Sequence, residues 1–143
     1  MNSNLSQNVK FTRVKNSVTA GTAEIDSTII DMSGFDGVIF IALCNTIVDA
    51  SVVTLKAQGN ATNATSGMAD IAGATTNFTS SSNSNVCVWI DVFRPQLEFV
   101  RAVMLRTTQN LTLDGILAIQ YKGSKAPTIH DATTILQGAL AAF

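Results

Sequence analysis

The chain carries one histidine, and an acid stands beside it: His130–Asp131. A serine–histidine–acid relay needs that imidazole held on a rigid frame. Here it lies in "PTIHDATTILQGALAAF" (127–143), a terminal segment, so His130 reads as a structural or solvated residue. Cys44 and Cys87 have no cysteine or histidine at zinc spacing. Both fall in apolar runs, so buried thiols are expected, with a disulfide as the lesser alternative. The acids are scattered. Asp26 with Asp31, or Asp36 with Asp49, offers a cation little, and no Asp-x-Asp-x-Asp-Gly loop is present. Neither a Gly-x-Gly-x-x-Gly turn nor a phosphate-binding loop occurs. These residues point to no enzyme, no metal and no cofactor.

The arginines are more informative. Arg94, Arg101 and Arg106 cluster in "RPQLEFVRAVMLR". In a regular strand Arg101 shares a face with Phe99, Val103 and Leu105, and a charge on an apolar face is costly unless paired. It therefore needs Asp91, Glu98, Asp114 or a partner subunit, or a bulge that turns it outward. Arginine suits bidentate pairing at interfaces, so Arg94 and Arg101 are candidates for subunit contact. An oligonucleotide-binding sheet would interleave aromatics with basic residues on one face, and only this stretch approaches that. Trp89, Tyr121 and the seven Phe are core candidates first; a sugar platform would need them exposed.

These side chains must be positioned by strands, because the dominant period is two. "VCVWIDVF" (86–93) puts Val86, Val88, Ile90 and Val92 on one face and Cys87, Trp89, Asp91 and Phe93 on the other. "SVVTLKAQ" (51–58) alternates likewise. "LTLDGILAIQY" (111–121) groups Leu111, Leu113, Leu117, Ile119 and Tyr121 against Thr112, Asp114, Ile116 and Gln120. "GVIFIALC" (37–44) does not alternate, as expected of a central strand or of one covered by a neighbouring subunit. Further strands are predicted at 9–14, 23–30, 70–78 and 98–108. Polar turns separate them at 33–37, 59–67, 79–85, 94–96 and 108–110. About eight strands with polar turns predict an all-β antiparallel sandwich or jelly roll.

The 143 residues suit one domain, and 46% of them are hydrophobic, enough for a core without staples. Only 13% are charged, while 17 Thr, 12 Ser and 11 Asn fill the polar positions. Low surface charge fits a neutral β protein and also suits protein contacts. A net charge of −1 gives no bulk attraction to nucleic acid or membrane. The longest apolar run is too short to span a bilayer. No signal-peptide pattern is seen, so maturation in a reducing cytoplasm is expected. Lys10, Arg13 and Lys15 precede the first acid, and residues 1–17 read as a basic arm ahead of a sandwich at 18–126. In the tail, 127–143, Ile135, Leu136, Ala139, Leu140 and Phe143 fall at helical spacing from Asp131, a possible cap. Such an apolar tail needs its own sandwich, a sister subunit or another protein to pack on.

The order of several segments adds a resemblance. "VTAGTAEIDSTIIDMSGFDGVIFIAL" (18–43), "LKAQGN", "MADIAG" and "DVFRPQLEFVRAVMLRTTQNLTLDGILAIQYKGSKAPTIHDA" (91–132) resemble a group of tailed-phage virion proteins. These are small jelly-roll cement or decoration proteins of the head. The resemblance runs from about Val18 to Ala132, with nothing carried onto 59–85. It implies a homotrimer on the outside of a phage head, bridging major capsid subunits, made in the host cytoplasm. The capsid and subunit contacts expected are Lys10, Arg13, Lys15, Arg94, Arg101, Ile135, Leu136, Leu140 and Phe143. A head fibre or sugar-binding adhesion module is the alternative.

Overall fold

The alternating runs become strands. In a computed structural model, which describes residues 4–141, they are β1 (Lys10–Lys15), β2 (Val18–Gly21), β3 (Ile25–Asp26), β4 (Ile30–Asp31), β5 (Phe35–Ile47), β6 (Val52–Asn60), β7 (Ala69–Thr79), β8 (Ser84–Phe93), β9 (Phe99–Thr107) and β10 (Leu111–Gly123). No α-helix occurs among the described residues. Two antiparallel sheets form. Sheet A runs β1–β10–β5–β8, with β2 also on β10, and sheet B runs β3–β9–β6–β7, with β4 also on β9. Since β1/β2 and β3/β4 each occupy one place, there are eight strand positions. Apart from those two breaks and the β6–β7 hairpin, every connection crosses between sheets. This is the jelly-roll arrangement.

The breaks have local causes. Between β3 and β4, the buried Ser27 replaces a strand contact: its N–H donates to the Ala102 carbonyl and its hydroxyl accepts from the Ala102 N–H, both at 2.9 Å. Thr28 then bonds the Val14 carbonyl at 2.8 Å, tying one sheet to the other. The core lies between the sheets. Val38, Phe40, Ala42 and Cys44 of β5 meet Val53, Leu55 and Ala57 of β6, Val100, Ala102 and Met104 of β9, and Ile116 and Ala118 of β10. The strand 37–44 is therefore interior to sheet A, but only its inner face is fully buried: Ile39 and Ile41 are half-buried and Leu43 is exposed on the outer one.

Four expectations need correction. First, β10 does not keep one apolar face. Leu111 and Leu113 point inward, but the register shifts between Leu113 and Gly115, and beyond it Ile116, Ala118 and Gln120 are buried. One extra residue sends every later side chain to the opposite face. The bulge sits at a glycine because a Cβ on Gly115 would come within 3.1 Å of the Lys15 carbonyl oxygen. Second, of the arm 1–17, residues 10–15 form β1, paired with β10 from Lys10↔Gln120 to Lys15↔Ile116. Third, the tail is not helical. Ile135 N–H reaches the Asp131 carbonyl at 2.9 Å, closing one turn, and the chain then runs irregularly to Ala141. Thirteen residues containing a glycine are too few to sustain a helix without packing. Fourth, Cys87 is exposed; Cys44 is buried, and both thiols are free because they point to opposite sides of sheet A.

Candidate interaction surface

The β10 bulge has a surface consequence. It brings Leu117, Ile119 and Tyr121 to the outside of sheet A, in register with the outward side chains of β5 and β8. Ladder partners place Phe11, Ile119, Ile39 and Asp91 in one row across four strands. Arg13, Leu117, Ile41 and Trp89 form the next. Leu43 stands beside Cys87 in a third. Trp89 is 60%, Phe93 50% and Leu43 43% exposed. A contiguous apolar sheet face with aromatics on it is the composition of a contact surface.

Its rim is organised around Phe93. The Tyr121 ring lies stacked on Phe93 with centroids 6.4 Å apart, and its hydroxyl donates to Asp91. Arg94 and Lys122 approach the Phe93 ring at 5.0 and 5.3 Å from its centroid. Gly37 makes this possible, since a Cβ there would fall 2.2 Å from the Tyr121 ring. Burial, reinforced by the Asp91 carboxylate, pushes the Tyr121 hydroxyl up to about 12.

The tail closes the other side. Thr128 donates its hydroxyl to the Val9 carbonyl. His130 Nδ1 accepts the Phe11 N–H at 3.0 Å, and its ring stacks on Phe11 at 4.6 Å. The lone histidine is thus a clasp on the edge strand β1. The Thr134 hydroxyl accepts the Arg13 N–H at 3.1 Å and donates to Asp131 at 2.6 Å. Hydrogen bonds from Thr134 and Thr133 hold the Asp131 carboxyl below its ordinary range. Half-buried Ile135 then shares a small hollow with Leu43 and Leu117.

Sheet B presents a different outer face. Arg101 donates two bonds to the Gln58 oxygen, at 3.0 and 2.8 Å, and meets Asp26 at 3.3 Å. Gln58 donates to Asp70, which pairs with Lys56 at 3.0 Å. This row closes on itself across β3, β9, β6 and β7. The Arg101 partner is therefore Asp26, not Asp91, Glu98 or Asp114, and the sheet itself supplies it. Sequence could not show this, because β3 and β9 meet only through the topology.

The other expected contact residues scatter. Lys10 helps hold the Asp31 carboxyl low, after the stronger effect of the Ser33 N–H. Arg13 is exposed and reaches the Asp114 carbonyl at 3.5 Å; Lys15 is half-buried at the end of β1. Arg94 is exposed beside Phe93. Leu136 is 99% and Leu140 58% exposed, while Phe143 lies outside the described residues. The surface residues that the contact list missed are Leu43, Trp89 and Phe93. Their signal was the non-alternating run 37–44 together with the second face of β8.

No family model matches the chain, and no curated protein does. Some solved structures are similar to it. A chain from the structure of infectious bursal disease virus Gx strain is similar with a TM-score of 0.50 and 10% identity, over 83% of this chain and 33% of that one. The SPBc2 prophage-derived protein YomS gives a TM-score of 0.47 at 13% identity, covering 78% of this chain and 93% of that one. At 10% identity the likeness to the viral chain concerns the fold alone.

Proposed function

We propose that this chain is a structural virion protein, a cement that binds the outer surface of a phage head and bridges its major capsid subunits. The observation that carries the reading is the outer face of sheet A. It is apolar, exposes Trp89, Phe93 and Leu43, and is edged by Arg13, Arg94 and Lys122. The resemblance of residues 18–132 to head cement proteins supplies the partner. Exposed aromatics with charged side chains nearby are the usual anchors of a protein interface, and repetition over a shell converts modest contacts into firm attachment. Lys10 pairs with the inward-facing Gln120 and acts on Asp31 of sheet B, so it takes no part in that face. Arg101 is engaged by Asp26 and Gln58, so its role in the reading is to stiffen sheet B.

Sedimentation with purified heads tests this. Trp89→Glu combined with Leu43→Glu should abolish pelleting, whereas Lys56→Gln on sheet B should leave it unchanged. Equal pelleting of the double variant would refute the assignment of the face. The exposure of Trp89 also favours a second reading, a fibre or adhesion module using that ring as a sugar platform. Quenching of the single Trp fluorescence by saccharides, with no binding to heads, would support it instead.

A further inference from the structure

The sandwich is open along one side. Between the edge strands β7 and β8 lie two neighbouring hollows. One of about 590 Å³ is lined by Phe78, Val86 and Val88 among others, the second of about 680 Å³ by Ile71, Val92 and Leu97. They meet at Gly73, Ala74 and Asp91, which border both. Gly73 has φ +81° and nothing within 4 Å of where a Cβ would stand. The β6–β7 ladder shifts register there, between Lys56 and Gln58, leaving part of β7 off its neighbour. Strand β8 runs ten residues with β5 on one side and, among the described residues, no strand on the other. A long apolar edge of this kind invites another strand.

The tail supplies a segment that fits. "LQGAL" (136–140) is uncharged, and in extended form Leu136, Gly138 and Leu140 share one face. The leucines then stand roughly 13 Å apart. Val88 and Val92, one in each hollow, are separated by the same four residues along β8. Gly138 falls between the leucines, where Ala74 and Asp91 form the saddle between the hollows, and has no side chain to collide with it. The charges at the cleft are already engaged: Asp91 by Tyr121, Asp70 by Lys56, and Arg94 over Phe93. An uncharged strand therefore enters without stripping water from a free ion.

The segment does not serve its own cleft. Thr134 and Ile135 are fastened over β1, β10 and β5, and one residue spans at most about 3.5 Å. The outer edge of β8 lies more than a strand spacing, ~4.8 Å, beyond β5. Past Ile135 the tail turns the other way, where Ala141 accepts a long 3.4 Å bond from the Asn4 side chain. We propose that residues 136–140 of one copy add as a strand to β8 of a second copy, seating Leu136 and Leu140 in its open cleft. The inference deepens the cement reading by naming the contact between copies. That contact is head-to-tail, so it closes a ring or continues as a chain of subunits.

Light scattering and native mass spectrometry of the purified protein, without heads, provide the test. Wild type should be oligomeric. A chain ending at Ile135, and a chain with Ala72→Arg and Thr76→Arg in the cleft, should each be monomeric and still unfold in one cooperative transition. Mixed one to one, they should form a heterodimer and stop, because one retains only the cleft and the other only the tail. A monomeric wild type, or a mixture that stays monomeric, would overturn the proposal. Either result leaves head binding, measured separately by sedimentation, free to stand or fall on its own.

Discussion

Arg106 carries a stability consequence that its place in the arginine cluster did not suggest. It is 4% exposed and donates to the carbonyls of Ala23, Thr19 and Leu111 at 2.7, 2.7 and 2.6 Å. Among the described residues no carboxylate pairs with it; three backbone acceptors do, in β2, in the β2–β3 loop and at the start of β10. Arg106→Met should destabilise the fold by about 2–4 kcal/mol, because carbonyls at the end of the core would lose their donors. Arg101→Met, on the outer face, should cost about 1 kcal/mol. Urea melts of both variants check the order. Tyr121 is the only tyrosine, so absorbance titration reads it alone. It should titrate near 12 in the native protein. Asp91→Asn should lower that value without restoring the ordinary one, since burial is the larger cause. A raised phenol favours the folded state fully below the ordinary tyrosine pKa of about 10, and this contribution disappears as pH climbs from there toward 12.

The strands and the tail respond separately. Thr134→Ala removes the acceptor of the Arg13 N–H and a donor to Asp131. Hydrogen exchange at Arg13 should quicken, while global stability changes by less than about 1 kcal/mol. Acid should act alike. The Asp131 carboxyl is held low, so its stabilisation of the turn is complete above the ordinary Asp pKa of about 3.9 and fades as pH falls below it. Exchange at Arg13, corrected for its intrinsic rate, should rise over that interval. Strand existence was legible because strand signals are local: the apolar run 37–44 and the alternating 86–93 lie within β5 and β8, and 51–58 and 98–108 coincide with β6 and β9 except at their ends. Facing was less legible. Gly115 in mid-strand was the available sign of the bulge that reversed Leu117, Ile119 and Tyr121. The tail misled because its apolar spacing suits a helix, yet Asp131, Thr133 and Thr134 close a single turn against β1. The Asp26–Arg101 pair and the His130 clasp join residues 75 and 119 positions apart. Neither can be read from spacing.

Taken together, the jelly roll separates two duties. Sheet B pairs Arg101 with Asp26 and Lys56 with Asp70 across its outer face. Sheet A presents Trp89, Phe93 and Leu43, side chains that water does not reward. The tail crosses part of that face and continues past it. The most direct measurement is the number of copies in purified phage particles, by quantitative mass spectrometry against the major capsid protein. A ratio near one to one is expected for a cement distributed over the shell. Absence from the particle would contradict the virion assignment, and a handful of copies would contradict a shell-wide cement and favour the fibre or adhesion reading.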